Sequence, residues 1–346
     1  MSELIEDLEV VQLDSNIEYS ANCEEYASVF LSDNYIALPN FKQKIMLFNR
    51  KTGKYISSIG DIGNGHGEYR RISYVYISET SGVVFAVADR CKINKYGLDG
   101  KFQETLPLAK ELEANSNIVV NINEKDKEIT IFSGFRTKRM LWKQDFMGNE
   151  LANIYADDNQ DENFGIRMNR CAGEISVSLS NLKNNPDSLY KLNNNALKPV
   201  FALNVSHLNE NKEYEGTAHA RSYFETPKYY ITEITELKMK SKNGKIVGAS
   251  INLLPGGVIV NKENLTGGYF KLFNDYLGLD VTKNVSYADG IFITGYDDAA
   301  TLVEELESIP EEQKANMNSA TRERIDNLIS SLDEEGNAVV MIGKLK

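Results

Sequence analysis

Three segments of the chain are variants of one pattern: Ile45-Met46-Leu47-Phe48-Asn49-Arg50-Lys51-Thr52-Gly53-Lys54-Tyr55, Ile93-Asn94-Lys95-Tyr96-Gly97-Leu98-Asp99-Gly100-Lys101-Phe102, and Met140-Leu141-Trp142-Lys143-Gln144-Asp145-Phe146-Met147-Gly148-Asn149-Glu150-Leu151. Each reads as a strand, a tight glycine turn and a second strand. The turn glycines stand at 53, 100 and 148, spacings of 47 and 48 residues, and a degenerate polar turn, Asn193-Asn194-Asn195, falls one period further on. A period in the high forties with four short strands per repeat is the pattern of a β-propeller blade. A blade cannot bury both its faces alone, so blades stack radially and the apolar surface is hidden only when the ring closes. Six blades of about 47 residues plus a non-repeating segment use the whole length. The expectation is therefore an all-β chain, one six-bladed propeller domain over residues 1–346.

The strands of the first four blades can be placed. Blade 1 takes Tyr26–Leu31, Tyr35–Leu38, Ile45–Asn49 and Tyr55–Ile59, and blade 2 takes Ile72–Ile77, Val83–Ala88, Lys92–Tyr96 and Phe102–Leu106. Blade 3 fits Ile118–Ile122, Glu128–Phe132, Arg139–Gln144 and Leu151–Tyr155; blade 4 fits Arg167–Cys171, Ile175–Leu179, Ser188–Leu192 and Pro199–Leu203. Beyond them the period decays. Residues 204–228 read as a polar stretch, followed by strand-like runs at Tyr229–Met239, Ile246–Leu253, Gly257–Val260, Tyr269–Phe273, Val285–Tyr287 and Ile291–Thr294, which supply blades 5 and 6. From Asp297-Asp298 the period changes to a helical one: Ala299, Leu302, Val303 and Leu306, then Ile325, Leu328, Ile329 and Leu332, lie at helix spacing, with Pro310 suited to the first turn of the second helix. Val339–Ile342 returns to strand. The helices, at about 297–335, are expected as an insertion before the last strand, the alternative being a separate tail. With the insertion, the isolated run Leu8–Leu13 completes the last blade and closes the ring, which removes exposed sheet edges.

Composition excludes several classes. A net charge of −12 argues against a phosphate-backbone partner. Cys23, Cys91 and Cys171 are odd in number and far apart, with neither a disulfide framework nor paired zinc spacing. No run of about 18 apolar residues occurs, and the acidic opening Met1-Ser2-Glu3-Leu4-Ile5-Glu6-Asp7 is no signal peptide. Read literally the chain is cytoplasmic; an exported protein without its leader would read the same way.

Known chemical motifs fit poorly. Gly60, Gly63, Gly65 and Gly67 crowd one loop but lack the Gly-Lys-Ser/Thr or helix opening of a phosphate loop, so a blade-to-blade crossing needing positive φ is expected. Asp157, Asn159 and Asp161 copy the start of a calcium loop, yet Glu162 and Met168 stand where glycine and the bidentate carboxylate belong. His207 and His219 lack metal spacing. No metal and no cofactor is expected.

The run from Ile59 through Gly60-Asp61-Ile62-Gly63-Asn64-Gly65-His66-Gly67-Glu68-Tyr69, with Asp89 and Lys92–Phe102, resembles the six-bladed β-propeller lipoproteins of unknown function abundant in gut anaerobes. That family commonly carries a Gly-x-Gly-Pro-Gly-Glu-Tyr loop after its first blade; His66 stands here in place of the proline. The close is similar too, an acidic helix, a turn (Glu335-Gly336-Asn337-Ala338) and an apolar strand ending in Lys346. The resemblance implies an exported protein in the periplasm or at the cell surface, anchored through a lipidated cysteine upstream of these residues, and no known reaction.

Strand alternation gives the sharpest expectation. Crossings between blades and turns between second and third strands emerge at the same end. His66, Glu68, Tyr69, Arg70 and Arg71 then share a face with Lys42, Lys44, Asp89, Arg90, Lys92, Phe135, Arg136, Lys138 and Arg139. Arginine forks pair with carboxylates and sulfates, and aromatic rings stack on sugars. The expected function is a non-catalytic propeller that binds an anionic saccharide or an acidic partner there, through His66, Glu68, Tyr69, Arg70, Arg71, Arg90, Arg136 and Arg139; the plainer reading is that the arginines only bridge neighbouring acidic loops. The alternative is a glycoside hydrolase or lyase at the channel mouth, for which Glu68 and Asp89 are the nominated carboxylate pair.

Overall fold

A computed structural model describes residues 1–15, 29–40, 43–113, 118–134, 139–157, 163–171, 174–181, 188–210, 217–242, 245–281 and 285–346. Six four-stranded antiparallel sheets form a six-bladed β-propeller. Blade 1 is Phe30–Leu31, Tyr35–Asn40, Gln43–Asn49 and Tyr55–Ile59; blade 2 is Ile72–Ser78, Val83–Ala88, Lys92–Gly97 and Phe102–Pro107. Blade 3 is Ile118–Asn123, Glu128–Ser133, Arg139–Asp145 and Glu150–Asp157; blade 4 is Asn163–Cys171, Glu174–Asn181, Ser188–Asn193 and Ala196–Phe201. Blade 5 is Thr217–Glu225, Tyr229–Lys242, Lys245–Asn261 and Gly267–Phe270. Blade 6 joins the two ends of the chain: Ser286–Ala288, Ile291–Tyr296 and Val339–Leu345 are completed by Ile5–Gln12 as the outer strand. Val10, Val11 and Gln12 pair with Met341, Val340 and Val339 in that closing ladder. Arg50 of blade 1 reinforces it, its Nη2 and Nε donating to the two carboxylate oxygens of Glu9 at 2.8 and 3.1 Å.

Burial follows position in the blade. Every residue of Val83–Ala88, a second strand, is buried, whereas the outer strand Phe102–Pro107 is mostly exposed. The core is divided accordingly among the seams between blades. Ile45, Leu47 and Ile59 meet Val84, Ala86 and Ala88 between blades 1 and 2, and Phe85 and Val87 meet Val120, Ile129 and Ile131 between blades 2 and 3. Val11, Val340 and Ile342 meet Ile36, Leu38 and Phe48 where blade 6 returns to blade 1.

The glycine repeat is explained by these seams. Gly53, Gly100 and Gly148 have φ of +67°, +81° and +83°, which favours glycine, and each turn lies against the outer strand of the preceding blade. A Cβ would collide with the Gln12 carbonyl oxygen at position 53 and the Ser58 carbonyl oxygen at position 100, and would come within 2.9 Å of the Pro107 ring at position 148. Gln12 belongs to the amino-terminal strand, so the closing seam repeats the geometry of the others.

The helices are an insertion between the last two strands, as expected, but number three. The helix α1, Ser206–Glu210, follows blade 4, and the insertion holds α2 (Ala299–Glu307), α3 (Glu311–Asn316) and α4 (Ser319–Ser331). Asp298 caps α2 by accepting from the Thr301 N–H at 2.7 Å, and Asn318 caps α4 through the Thr321 N–H at 2.8 Å. Pro310 therefore precedes the short α3 rather than opening the longer helix. Ala299, Leu302, Leu306 and Ile325 pack with Ile5, Leu8, Met341, Phe224 and Ile231, filling the seam between blades 5 and 6. The solvent side is acidic: residues 297–335 contain twelve carboxylates and three cations.

Two strand expectations are corrected. Thr217–Glu225, inside the expected polar stretch, is the innermost strand of blade 5. Ala218, Ala220 and Tyr223 face one seam, while His219, Arg221 and Glu225 are also buried, so the polar residues that alternate with the small alanines lie inside the protein and do not mark a solvent face. The runs Ile246–Leu253 and Gly257–Val260 are one strand whose pairing with Tyr229–Lys242 shifts register between Glu233 and Thr235. Gly256, at φ +80°, lets the backbone pass through that bulge instead of ending there.

Candidate functional site

The crossing from blade 1 to blade 2 is built on two short parallel strands, Asp61–Ile62 and Glu68–Tyr69. Gly60 and Gly67 take φ of +69° and +75°, the crossing geometry expected, whereas Gly63 and Gly65 are glycines for a different reason: the Glu68 carboxylate occupies the space their Cβ atoms would fill. Glu68 Oε2 accepts the Gly65 N–H at 2.7 Å, and the Glu68 carbonyl accepts Lys92 Nζ at 2.9 Å. The loop is also held from below. The Tyr96 hydroxyl donates to the Gly67 carbonyl at 2.8 Å and accepts the Asn94 amide at 2.9 Å. Burial pushes the Tyr96 hydroxyl up to about 12, so it remains a donor. Asn94 was not anticipated as a loop support; its one signal is an amide at an interior strand position between Ile93 and Lys95.

Tyr69 is the clearest correction to the expected site. It is 1% exposed, its hydroxyl donating to the Ile59 carbonyl at 2.7 Å and accepting the Ile45 N–H at 2.9 Å. Its ring belongs to the seam between blades 1 and 2 and is not presented on the surface. In the strand Glu68–Tyr69 adjacent side chains point to opposite sides, and the tyrosine takes the inward one. Desolvation raises its pKa. Tyr69→Phe leaves two buried backbone groups unpaired, and urea unfolding is expected to show a loss of about 2 kcal/mol with the fold retained.

Of the expected charged residues, Arg70, Arg71, Asp89 and Lys92 come together. Asp89 Oδ1 accepts the backbone N–H groups of both Arg70 and Arg71, at 2.9 and 3.1 Å, and Asp89 Oδ2 lies 3.4 Å from Lys92 Nζ. The turn between the second and third strands of blade 2 is thereby clasped to the crossing loop. Arg70, Arg71 and His66 are exposed, the His66 ring standing edge-on to Phe102 with centroids 4.6 Å apart. Arg90 lies 4.0 Å from Glu111, and Lys44 ion-pairs with Asp61. Arg139 begins the third strand of blade 3. Arg136, Phe135, Lys138 and Lys42 lie outside the described residues, as do Cys23, Asn159, Asp161 and Glu162.

The nominated carboxylate pair is committed elsewhere. Glu68 folds back onto its own glycine loop, and Asp89 is engaged by two N–H groups and an ammonium, which leaves neither placed as a free acid or base across a glycosidic bond. His207 lies in α1 and His219 on the innermost strand of blade 5, where burial lowers its pKa. No group of metal-ligating side chains occurs among the described residues. Among them, too, no helix is long and apolar enough to cross a membrane.

The model of the family called domain of unknown function DUF4934 matches residues 1–344. The chain belongs to the DUF4934 family. Among solved structures it is similar to a protein of Bacteroides fragilis provisionally named as exported, at 12% identity and a TM-score of 0.58, over 98% of this chain and 95% of that one. A member of the DUF4221 family from Bacteroides vulgatus matches at 12% identity and a TM-score of 0.47, over 99% and 98% of the two chains. None of the curated proteins matches. At 12% identity the first of these structures speaks to the fold alone.

Proposed function

We propose that this DUF4934 protein is a non-catalytic binding propeller of the exported compartment, held to a membrane by a lipidated cysteine upstream of residue 1, and that its crossing-loop face takes an acidic saccharide. The export reading is supported by the provisional name of the similar Bacteroides fragilis protein. The binding reading is carried by one observation, the clasp of Asp89 on the N–H groups of Arg70 and Arg71. Fixing the backbone of two adjacent arginines reduces the ordering cost of a bidentate contact with a carboxylate or sulfate. Lys92 offsets the Asp89 charge that would otherwise repel such a ligand. The exposed His66 ring extends the same surface.

Calorimetric titration with oligogalacturonate tests this reading. Binding should weaken about tenfold in Arg70→Ala and again in Arg136→Ala, each removing roughly 1.4 kcal/mol, and should fall with added salt. Equal affinity in wild type and both variants would refute the assignment, as would binding of polyaspartate but not oligogalacturonate, which would indicate an acidic protein partner instead.

A further inference from the structure

We infer a second binding site, for a neutral sugar unit, in the seam between blades 3 and 4. Its starting point is a failure of the apolar packing that joins the other blades. Strand register puts Thr130 opposite both Asn121 and Lys143, and Phe132 opposite Leu141, so all five side chains lie on the face of blade 3 that turns to blade 4. Phe132 and Leu141 make a small core with Val177 and Leu179. Val119 and Tyr155 flank that core, but towards the other end of the face Asn121, Asn123, Glu128, Thr130 and Lys143 are polar, whereas blade 3 presents Val120, Ile122, Ile129 and Ile131 to blade 2 on its other side. The polar half stands open as a cleft of about 240 Å³.

The turn of blade 4 matches this opening. In blades 1 to 3 the turn between the third and fourth strands carries a glycine pressed against the neighbouring blade. Blade 4 has Asn194 and Asn195 there, at φ of +47° and +60°, conformations that asparagine tolerates better than most side chains. Both line the cleft. Two amides therefore project where the other seams have no side chain.

The lining selects by chemistry. Glu128 and Lys143 form a 3.2 Å ion pair in the wall, so their charges compensate and favour no ion. Asn121, Asn194, Asn195 and Thr130 offer paired donors and acceptors of the kind vicinal hydroxyls need. Ile175 and Leu192 supply apolar contact for the C–H face of a ring. The volume is below the range for drug-sized ligands and fits a single hexose or hexosamine unit.

Saturation-transfer NMR and titration with glucose, galactose and N-acetylglucosamine provide the test, independent of the acidic ligand above. At least one is expected to receive saturation and bind in the millimolar range. Binding should weaken at least tenfold in Asn194→Gly/Asn195→Gly, whose backbone already has the positive φ glycine accepts, so folding is preserved. The double exchange Glu128→Gln/Lys143→Met should weaken it similarly, and Arg70→Ala should leave it unchanged. Absence of saturation transfer to all three sugars would overturn the inference. So would wild-type affinity in the asparagine variant, or loss of binding in Arg70→Ala, which would move the sugar to the crossing-loop face.

Discussion

Gly100→Ala is expected to lower the unfolding free energy by about 3 kcal/mol, a large fraction of what a domain usually has. Two costs combine. Position 100 has a φ of +81°, which an L side chain adopts with strain, and the added Cβ collides with the Ser58 carbonyl of the preceding blade. A control separates them: Gly82 has a φ of +66° but nothing within 4 Å of where its Cβ would stand, so Gly82→Ala carries the first cost alone, about 1 kcal/mol. Urea midpoints of the two variants should differ in that order. Equal effects would show that the seam yields to the extra carbon and that only the backbone conformation matters.

Deleting residues 1–13 is expected to abolish cooperative folding altogether. The deletion strips the ladder from Val339–Leu345 and removes Ile5, Leu8, Val11 and Leu13, all buried. At about 1.5–3 kcal/mol for each such side chain, the loss is comparable with the total stability of a domain. It also exposes a strand whose residues are nearly all buried in the intact ring, a template for pairing between molecules. Size-exclusion chromatography should show aggregates, and adding a peptide of residues 1–13 during refolding should restore the monomer. A soluble, cooperatively unfolding truncated chain would mean that the other five seams suffice.

What could be read in the sequence is what the backbone obliges locally. A glycine is needed at 53, 100 and 148 because the conformation and the neighbouring carbonyl or proline allow little else, so the blade period is written where the blades touch. The helical insertion and the closing strand were legible for a similar reason, since Ala299, Leu302, Val303 and Leu306 form one buried stripe. The strand Thr217–Glu225 escaped because both its faces are covered and its buried groups include His219, Arg221 and Glu225. In the candidate site, loop membership identified Arg70, Arg71 and Asp89 correctly as neighbours, but could not tell that Tyr69 turns inward or that Glu68 serves the loop itself. The amide-lined cleft needs three strands of blade 3 brought against a turn 50 and more residues later, a juxtaposition only register reveals.

Ring closure also determines how the molecule bears load. Ile5 faces Leu345 and the Lys346 N–H donates to the Leu4 carbonyl at 3.0 Å, so both ends of the described chain leave from the same edge of the last blade. Tension drawn between them would peel the ladder pair by pair instead of shearing all its bonds at once, the mechanically weak direction for two strands. A circle made by joining the ends with a short linker would gain resistance to pulling without disturbing any blade.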